Sequence, residues 1–226
     1  MSRSPSQGFR CKAFVFDLDG TLIDTTPLVI KHWRDFANEH DLDPEKILES
    51  SHGRRTIETI ARWVPELATP EVVAEMERKV ADQTEGVSIL PGVRNLLDKI
   101  PQNRIAVCTA GTEYMATTRL KQCEITLPKV MATGDRVTHG KPHPESYLLA
   151  AHELGYAPED CLVFEDAPAG VKSGRAAGMQ VIACTTTHSA EELRESGATK
   201  IVQFLSDVEI VPLPDGNFEV LVSNAL

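Results

Sequence analysis

Two aspartates stand two residues apart in Asp17-Leu18-Asp19-Gly20-Thr21, and a second acidic pair, Glu165-Asp166, lies far downstream. A carboxylate facing a polarised centre is a competent nucleophile. A second carboxylic acid beside it can protonate a leaving oxygen and then take a proton back from water. Gathered on one rim, Asp17, Asp19 and Asp166 would repel one another unless a cation sat among them. Mg²⁺ suits such a set, because it takes few carboxylates, keeps waters and completes its octahedron with phosphate oxygens. Glu165 is a further candidate ligand, with orientation of a lysine or a metal-bound water as the equal alternative. Phosphoryl transfer also needs a hydroxyl and a fixed cation at the transferred oxygens. Thr109, in Thr109-Ala110-Gly111-Thr112, supplies the hydroxyl, and Lys141, in Gly140-Lys141-Pro142-His143-Pro144, the cation.

Short apolar runs end at these polar groups, Lys141 apart. Ala13–Phe16 ends at Asp17, Ile105–Cys108 at Thr109, and Cys161–Phe164 at Glu165; a fourth run covers Val181–Cys184. Runs that are polar on neither face suit central strands of a parallel sheet. Between them lie helical stripes, Val93/Leu96/Leu97/Ile100 and Tyr147/Ala150/Ala151/Leu154, the second closed by Gly155. Ser189 with Glu192 reads as a capping box. Strands alternating with helices predict a doubly wound α/β core. Its ligand crevice lies at the carboxyl ends of the strands, where the acidic groups, Thr109 and their neighbours would converge.

Residues 25–90 break the alternation. Thr26-Pro27 and Thr69-Pro70 start helices, with Val29, Trp33 and Phe36 on one face, Ile57, Ile60, Ala61 and Val64 on a second, and Val73, Met76 and Val80 on a third. With no strand-like run, this stretch is expected to be a helical cap (25–90) inserted into a core made of 1–24 and 91–226. The segment 208–226, with Pro214-Asp215-Gly216 at its middle, is expected to form a terminal hairpin.

The formal net charge of −10 argues against nucleic acid and anionic membrane surfaces, yet leaves room for one local phosphate site. The five cysteines are scattered without a CxxC pair, which points to buried thiols rather than a disulfide framework. No apolar run reaches membrane-spanning length, and the polar start of the chain lacks a signal peptide's apolar stretch. A cytoplasmic monomer acting on a small phosphorylated metabolite is the expectation.

Asp17-Leu18-Asp19-Gly20-Thr21, Thr109, Lys141 and Glu165-Asp166 resemble, in order and rough separation, the four motifs of haloacid dehalogenase-like hydrolases. The resemblance covers nearly the whole chain. It implies Asp17 as nucleophile and Asp19 as acid/base, with Mg²⁺ held by Asp17, the Asp19 carbonyl and Asp166. It also implies a phosphate site built from Thr109, Lys141 and the backbone N–H groups of Leu18, Asp19 and Ala110. Family dehalogenases lack a counterpart of Asp19, and a β-phosphoglucomutase-like enzyme would carry histidine where Val29 stands. A closer resemblance runs through His32-Trp33-Arg34-Asp35-Phe36, Ser51-His52-Gly53-Arg54-Arg55-Thr56 and Phe164-Glu165-Asp166-Ala167-Pro168-Ala169-Gly170. It is to fungal glycerol-phosphate phosphatases and their 2-deoxyglucose-6-phosphate phosphatase relatives. Ala110 departs from the serine expected in the glycerol-phosphate branch. Arg55, then His52, are expected to reach substrate from the cap. The resemblance thus implies a Mg²⁺-dependent phosphatase of polyol or sugar phosphates, with a sugar phosphomutase or a non-catalytic phospholigand sensor as alternatives.

Overall fold

The first of the apolar runs sits at the heart of the molecule, between two of the others. A computed structural model describes residues 8–226; the polar segment 1–7, part of the start read above, lies outside it. In chain order the strands and α-helices are β1 (Phe9–Cys11), β2 (Ala13–Phe16), β3 (Ile23–Asp24), α1 (Thr26–Glu39), α2 (Pro44–Ser51), α3 (Thr56–Trp63) and α4 (Pro70–Ala81). There follow β4 (Ser88–Ile89), α5 (Val93–Leu97), β5 (Ile105–Cys108), α6 (Glu113–Gln122), β6 (Val130–Ala132), α7 (Glu145–Leu154) and β7 (Cys161–Glu165). The last are α8 (Pro168–Ala176), β8 (Gln180–Cys184), α9 (Ala190–Glu195), β9 (Lys200–Val202), β10 (Val208–Pro212) and β11 (Phe218–Val222).

Six strands form a parallel sheet in the order β6-β5-β2-β7-β8-β9. Alternation along β2 sends Phe14 and Phe16 to one face and Ala13 and Val15 to the other, and each face has its own buried cluster. Phe16 and Phe164 stack across neighbouring strands with ring centroids 4.8 Å apart. Register fixes the site. Phe16 pairs with Val107 on β5 and with Phe164 on β7, so the chain leaves β2 at Asp17 level with Cys108 and Glu165.

Four helices, α1–α4, stand between β3 and β4 around a cluster of Trp33, Phe36, Ala37, Ile47, Ile60, Val64 and Val73. Ala61 departs from the expected stripe and is exposed, because Ile57 and Ile60 of the short α3, with Val64 just past its end, make the inward face without it. The interval also ends in a strand that sequence periodicity did not show. Ser88–Ile89 pairs antiparallel with Ile23–Asp24, and two residues are too few to leave a pattern. Thus a small ribbon joins the helical insert to the sheet. The α5 helix stops at Leu97, short of the stripe's last member; Ile100 is buried past the helix end.

The terminal hairpin forms between β10 and β11, and β1 pairs along the other edge of β11. Phe218 of this three-stranded sheet meets Phe14 edge-on, ring centroids 5.1 Å apart. All five cysteines are free and buried. Burial pushes the Cys11 and Cys161 thiols up to about 12 and Cys108 to about 11. Among the described residues no helix is long and apolar enough to cross a membrane.

Candidate active site

Asp17 leaves the central strand buried, its backbone N–H donating to the Phe164 carbonyl at 2.9 Å. Its carboxylate accepts from Lys141 Nζ at 2.6 Å. The same ammonium donates to Glu165 Oε1 at 2.7 Å and to the Cys108 carbonyl at 3.2 Å, so three strand ends converge on one buried lysine. Glu165 has no exposed surface and no spare oxygen. Oε1 also accepts from the Tyr147 hydroxyl at 2.9 Å, and Oε2 takes the N–H groups of Asp166 and Ala167 at 2.8 and 3.0 Å. Both of its oxygens are committed to protein donors. Of the two roles open to it in the sequence, the geometry supports orientation of Lys141. Gly170 makes room for this arrangement, since a Cβ there would fall 1.6 Å from Glu165 Oε1.

Asp166, also buried, turns to the other side of Asp17. It accepts from Thr21 Oγ1 at 3.3 Å and from the Thr187 hydroxyl. Oxygen atoms of Asp17, Glu165 and Asp166 lie within 4.8 Å of one another. Gly20, at φ +88°, lets the chain bend over this group; a Cβ at that position would fall 2.2 Å from Asp166 Oδ2.

The charges are strongly unequal. Burial, opposed only partly by Lys141, raises the Asp17 carboxyl well above its usual range. Burial, reinforced by Glu165 and Asp17, does the same to Asp166. Burial also opposes the Lys141 ammonium, but the carboxylates of Asp17 and Glu165 outweigh it and hold its pKa well above the ordinary lysine value. For Glu165 the Lys141 charge and the two backbone donors overcome burial and leave the carboxyl below its usual pKa. Asp17, compensated in part by Lys141, and Asp166 place two hard oxygen donors close together in a buried pocket.

Above Asp17 lies a cavity of about 120 Å³ whose walls come from both the sheet and the helical insert. From the sheet side come Asp17, Asp19, Thr109 and Ala110; from the insert come His32, His52, Arg54 and Glu77. Asp19 is half-buried and accepts from Thr25 Oγ1 at 2.7 Å. Thr109 is buried with its Oγ1 accepting from Gly111 N–H at 3.1 Å, while Thr112 caps α6 by accepting from Met115 N–H. Leu18 has its side chain in the core, so only its backbone is available to a ligand.

Arg55 is not brought to this cavity. Its guanidinium turns to the far side of the 134–138 loop and bonds to carbonyls there. Its neighbour Arg54, exposed, lines the cavity instead. His52 does line it, and burial, helped by the nearby His188 ring, lowers its pKa and favours neutral imidazole. Two wall residues escaped the sequence reading. Glu77 of α4 is buried and accepts from Thr112 N–H and Thr56 Oγ1, both at 2.7 Å. Arg119 of α6 is buried against the end of α4, donating to the Val80 carbonyl at 2.7 Å. Each left a signal: Glu77 stands four residues after Val73 on an apolar stripe, and Arg119 three after Ala116.

Residues 11–178 match the haloacid dehalogenase-like hydrolase family. The chain is 38% identical to hexitol phosphatase A of Escherichia coli, over 92% of this chain and 98% of that one. It is 37% identical to glycerol-1-phosphate phosphohydrolase 2 of Saccharomyces cerevisiae, over 86% and 82%. Among solved structures, β-phosphoglucomutase of Clostridium difficile superposes with a TM-score of 0.73 at 25% identity, covering 88% of this chain and 93% of that one.

Proposed function

Because the chain belongs to the haloacid dehalogenase-like hydrolases, we propose that it hydrolyses small polyol or sugar phosphates through an aspartyl-phosphate on Asp17, beneath a cap formed by residues 25–90. The observation that carries this reading is the buried Lys141 ammonium held between Asp17 and Glu165 at the base of a cavity that also contains Asp19. Asp17 attacks phosphorus, forming a new O–P bond as the ester bond breaks. Asp19, held by Thr25, gives its proton to the departing alkoxide and then takes one from the water that cleaves the aspartyl-phosphate. Lys141 and the Thr109 hydroxyl face the charge spread over the phosphoryl oxygens.

The donor chemistry of Asp17 and Asp166 fits Mg²⁺, with the Asp19 carbonyl as a third ligand; when bound it would neutralise carboxylate and phosphate charge. Glu165, saturated by protein donors, is left out of that set. This has a measurable consequence. Two carboxyls with raised pKa values mean that the folded protein holds protons more tightly than the unfolded one, so in chelator its stability should fall as pH rises from the ordinary carboxylate range up through the raised values. Added Mg²⁺ should restore the melting temperature, more at about pH 7.5 than at about pH 5.5. Equal shifts at both pH values would count against this ligand pair.

The wall chemistry supports a hydroxyl-rich leaving group. Arg54 offers donors, Glu77 acceptors, and His32 and His52 either, over an apolar patch of Leu28, Val29 and Val80. A phosphate-release screen over polyol and hexose phosphates, with Mg²⁺ and no added bisphosphate, is expected to find turnover. The mutase alternative, for which the superposition on β-phosphoglucomutase supplies a shared fold, requires isomerisation without net release. Asp19→Asn should lower kcat by about two to four orders of magnitude, the scale of general acid–base catalysis. The deficit should shrink for esters with acidic leaving groups, which need no proton; a uniform deficit would deny Asp19 the acid role.

A further inference from the structure

We infer that Arg55 and Glu58 form a latch that, on cap closure, fixes the loop carrying Lys141; they are positioning residues and do not touch substrate. The inference rests on the hydrolase reading for its activity assay, but the geometry stands apart from it.

Arg55 is the residue immediately before α3, on the helical insert. A guanidinium has five N–H donors, and here five hydrogen bonds occupy them. Nη1 donates to the carbonyls of Gly134 and Val137 at 3.3 and 2.8 Å. Nη2 donates to the Thr138 carbonyl at 2.8 Å and to Glu58 Oε1 at 2.6 Å, and Nε donates to the same oxygen at 3.0 Å. No donor remains for a ligand.

Glu58 extends the contact to the catalytic loop itself. Its Oε1 also accepts from Gly140 N–H at 2.9 Å, one residue before Lys141. The loop is held from its opposite side by Glu145, which takes the N–H groups of Thr138 and His139. It is tied to the Thr109 loop through Gly134 N–H donating to the Gly111 carbonyl at 2.8 Å. The segment 134–141 is thus braced from the sheet side permanently, and from the cap side only while the insert sits down on it. Gly140 makes the fit possible. A Cβ there would lie 2.6 Å from Glu58 Oε2 and 2.8 Å from Arg55 Nε. With the cap closed the backbone beside Lys141 is thus braced from both sides, which steadies the ammonium against Asp17 while bulk water is excluded.

Three variants attack the latch from different sides: Arg55→Ala removes the fork, Glu58→Gln keeps its volume but replaces its charge, and Gly140→Ala wedges it. On a panel of polyol and sugar phosphates each should lower kcat by about tenfold to a hundredfold, by the same factor for every substrate, with KM little changed. The double variant Arg55→Ala/Gly140→Ala should be no worse than the poorer single, because both break one device. Arg54→Ala, by contrast, should reorder the substrates. A reordered panel in Arg55→Ala, or a KM rise at constant kcat, would return Arg55 to substrate contact and overturn the inference, as would independent, multiplying losses in the double variant. Amide hydrogen exchange across 134–141 reads the latch without any assay: it should quicken in all three variants while the β2 amides stay protected. Unchanged exchange there would overturn the latch. Absence of phosphate release by the wild-type protein alongside quickened exchange would instead sink the activity.

Discussion

Asp17→Asn is expected to remove turnover by about six orders of magnitude, the scale on which a covalent nucleophile is lost, with the fold retained. The amide keeps the shape of the carboxyl and can still accept from Lys141 through its oxygen, while Glu165 continues to hold that ammonium from the other side. Burial already disfavours a charge on Asp17, so its removal relieves the folded protein as well as depriving Lys141 of a partner. What the amide lacks is the negative charge that makes a carboxylate oxygen nucleophilic enough to form the bond to phosphorus. Intact-mass measurement after brief exposure to substrate should find a phosphorylated fraction in the wild type and none in the variant, whose circular dichroism should be unaltered. Turnover near the wild-type rate would dismiss Asp17 as the nucleophile.

Glu165→Gln should cost both stability and activity, although it changes one atom. The four groups around Glu165 are all donors: Lys141 and Tyr147 at one oxygen, the Asp166 and Ala167 N–H groups at the other. Whichever way the glutamine amide turns, its NH₂ meets two donors and leaves them unsatisfied, and Lys141 loses the carboxylate charge of Glu165, keeping Asp17 and the Cys108 carbonyl. Breaking a buried pair in this way costs about 3–5 kcal/mol. For a chain of this size that is a fall in melting temperature of roughly 10 °C. A misplaced Lys141 should lower kcat by about two to three orders of magnitude, as loss of a preorganised donor does. Scanning calorimetry and a kinetic titration at low temperature, where the variant stays folded, separate the two losses. A melting temperature equal to the wild type's, with full activity, would show that Lys141 is positioned without Glu165.

Much of this arrangement was legible in the residues. The runs at Ala13–Phe16, Ile105–Cys108, Cys161–Phe164 and Val181–Cys184 are strands buried on both faces, and such strands announce themselves by continuous apolarity. β6 and β9 did not. Each is three residues long with polar neighbours, Lys129 and Thr133 for the first, Thr199 and Gln203 for the second, so no window around them reads as a run. The nearness of Asp17 and Asp166 followed from knowing which strands end in polar groups, whereas Lys141, in the loop before α7, was placed there by its stiff Gly-Lys-Pro setting and by the motif resemblance. The direction of a side chain at a helix start did not follow from anything local. Arg54 and Arg55 are chemically identical and adjacent, yet one lines the cavity and the other grips carbonyls about 80 positions later in the chain. Only the placement of the 134–138 loop distinguishes them. Glu77 was overlooked for a related reason: an acid on an apolar stripe makes sense once Thr112, 35 residues away, is seen to donate to it.

The sulfur atoms of this chain lead to a practical conclusion. Every thiol is interred and protonated, Cys108 directly below the Lys141 ammonium that its own carbonyl helps to seat. Thiol-directed oxidants and alkylating reagents act on thiolates they can reach, so the native enzyme presents them with no accessible thiolate. Labelling by such reagents would then proceed at the pace at which the molecule opens, and would serve as a clock for unfolding in crude mixtures where spectroscopy is blind.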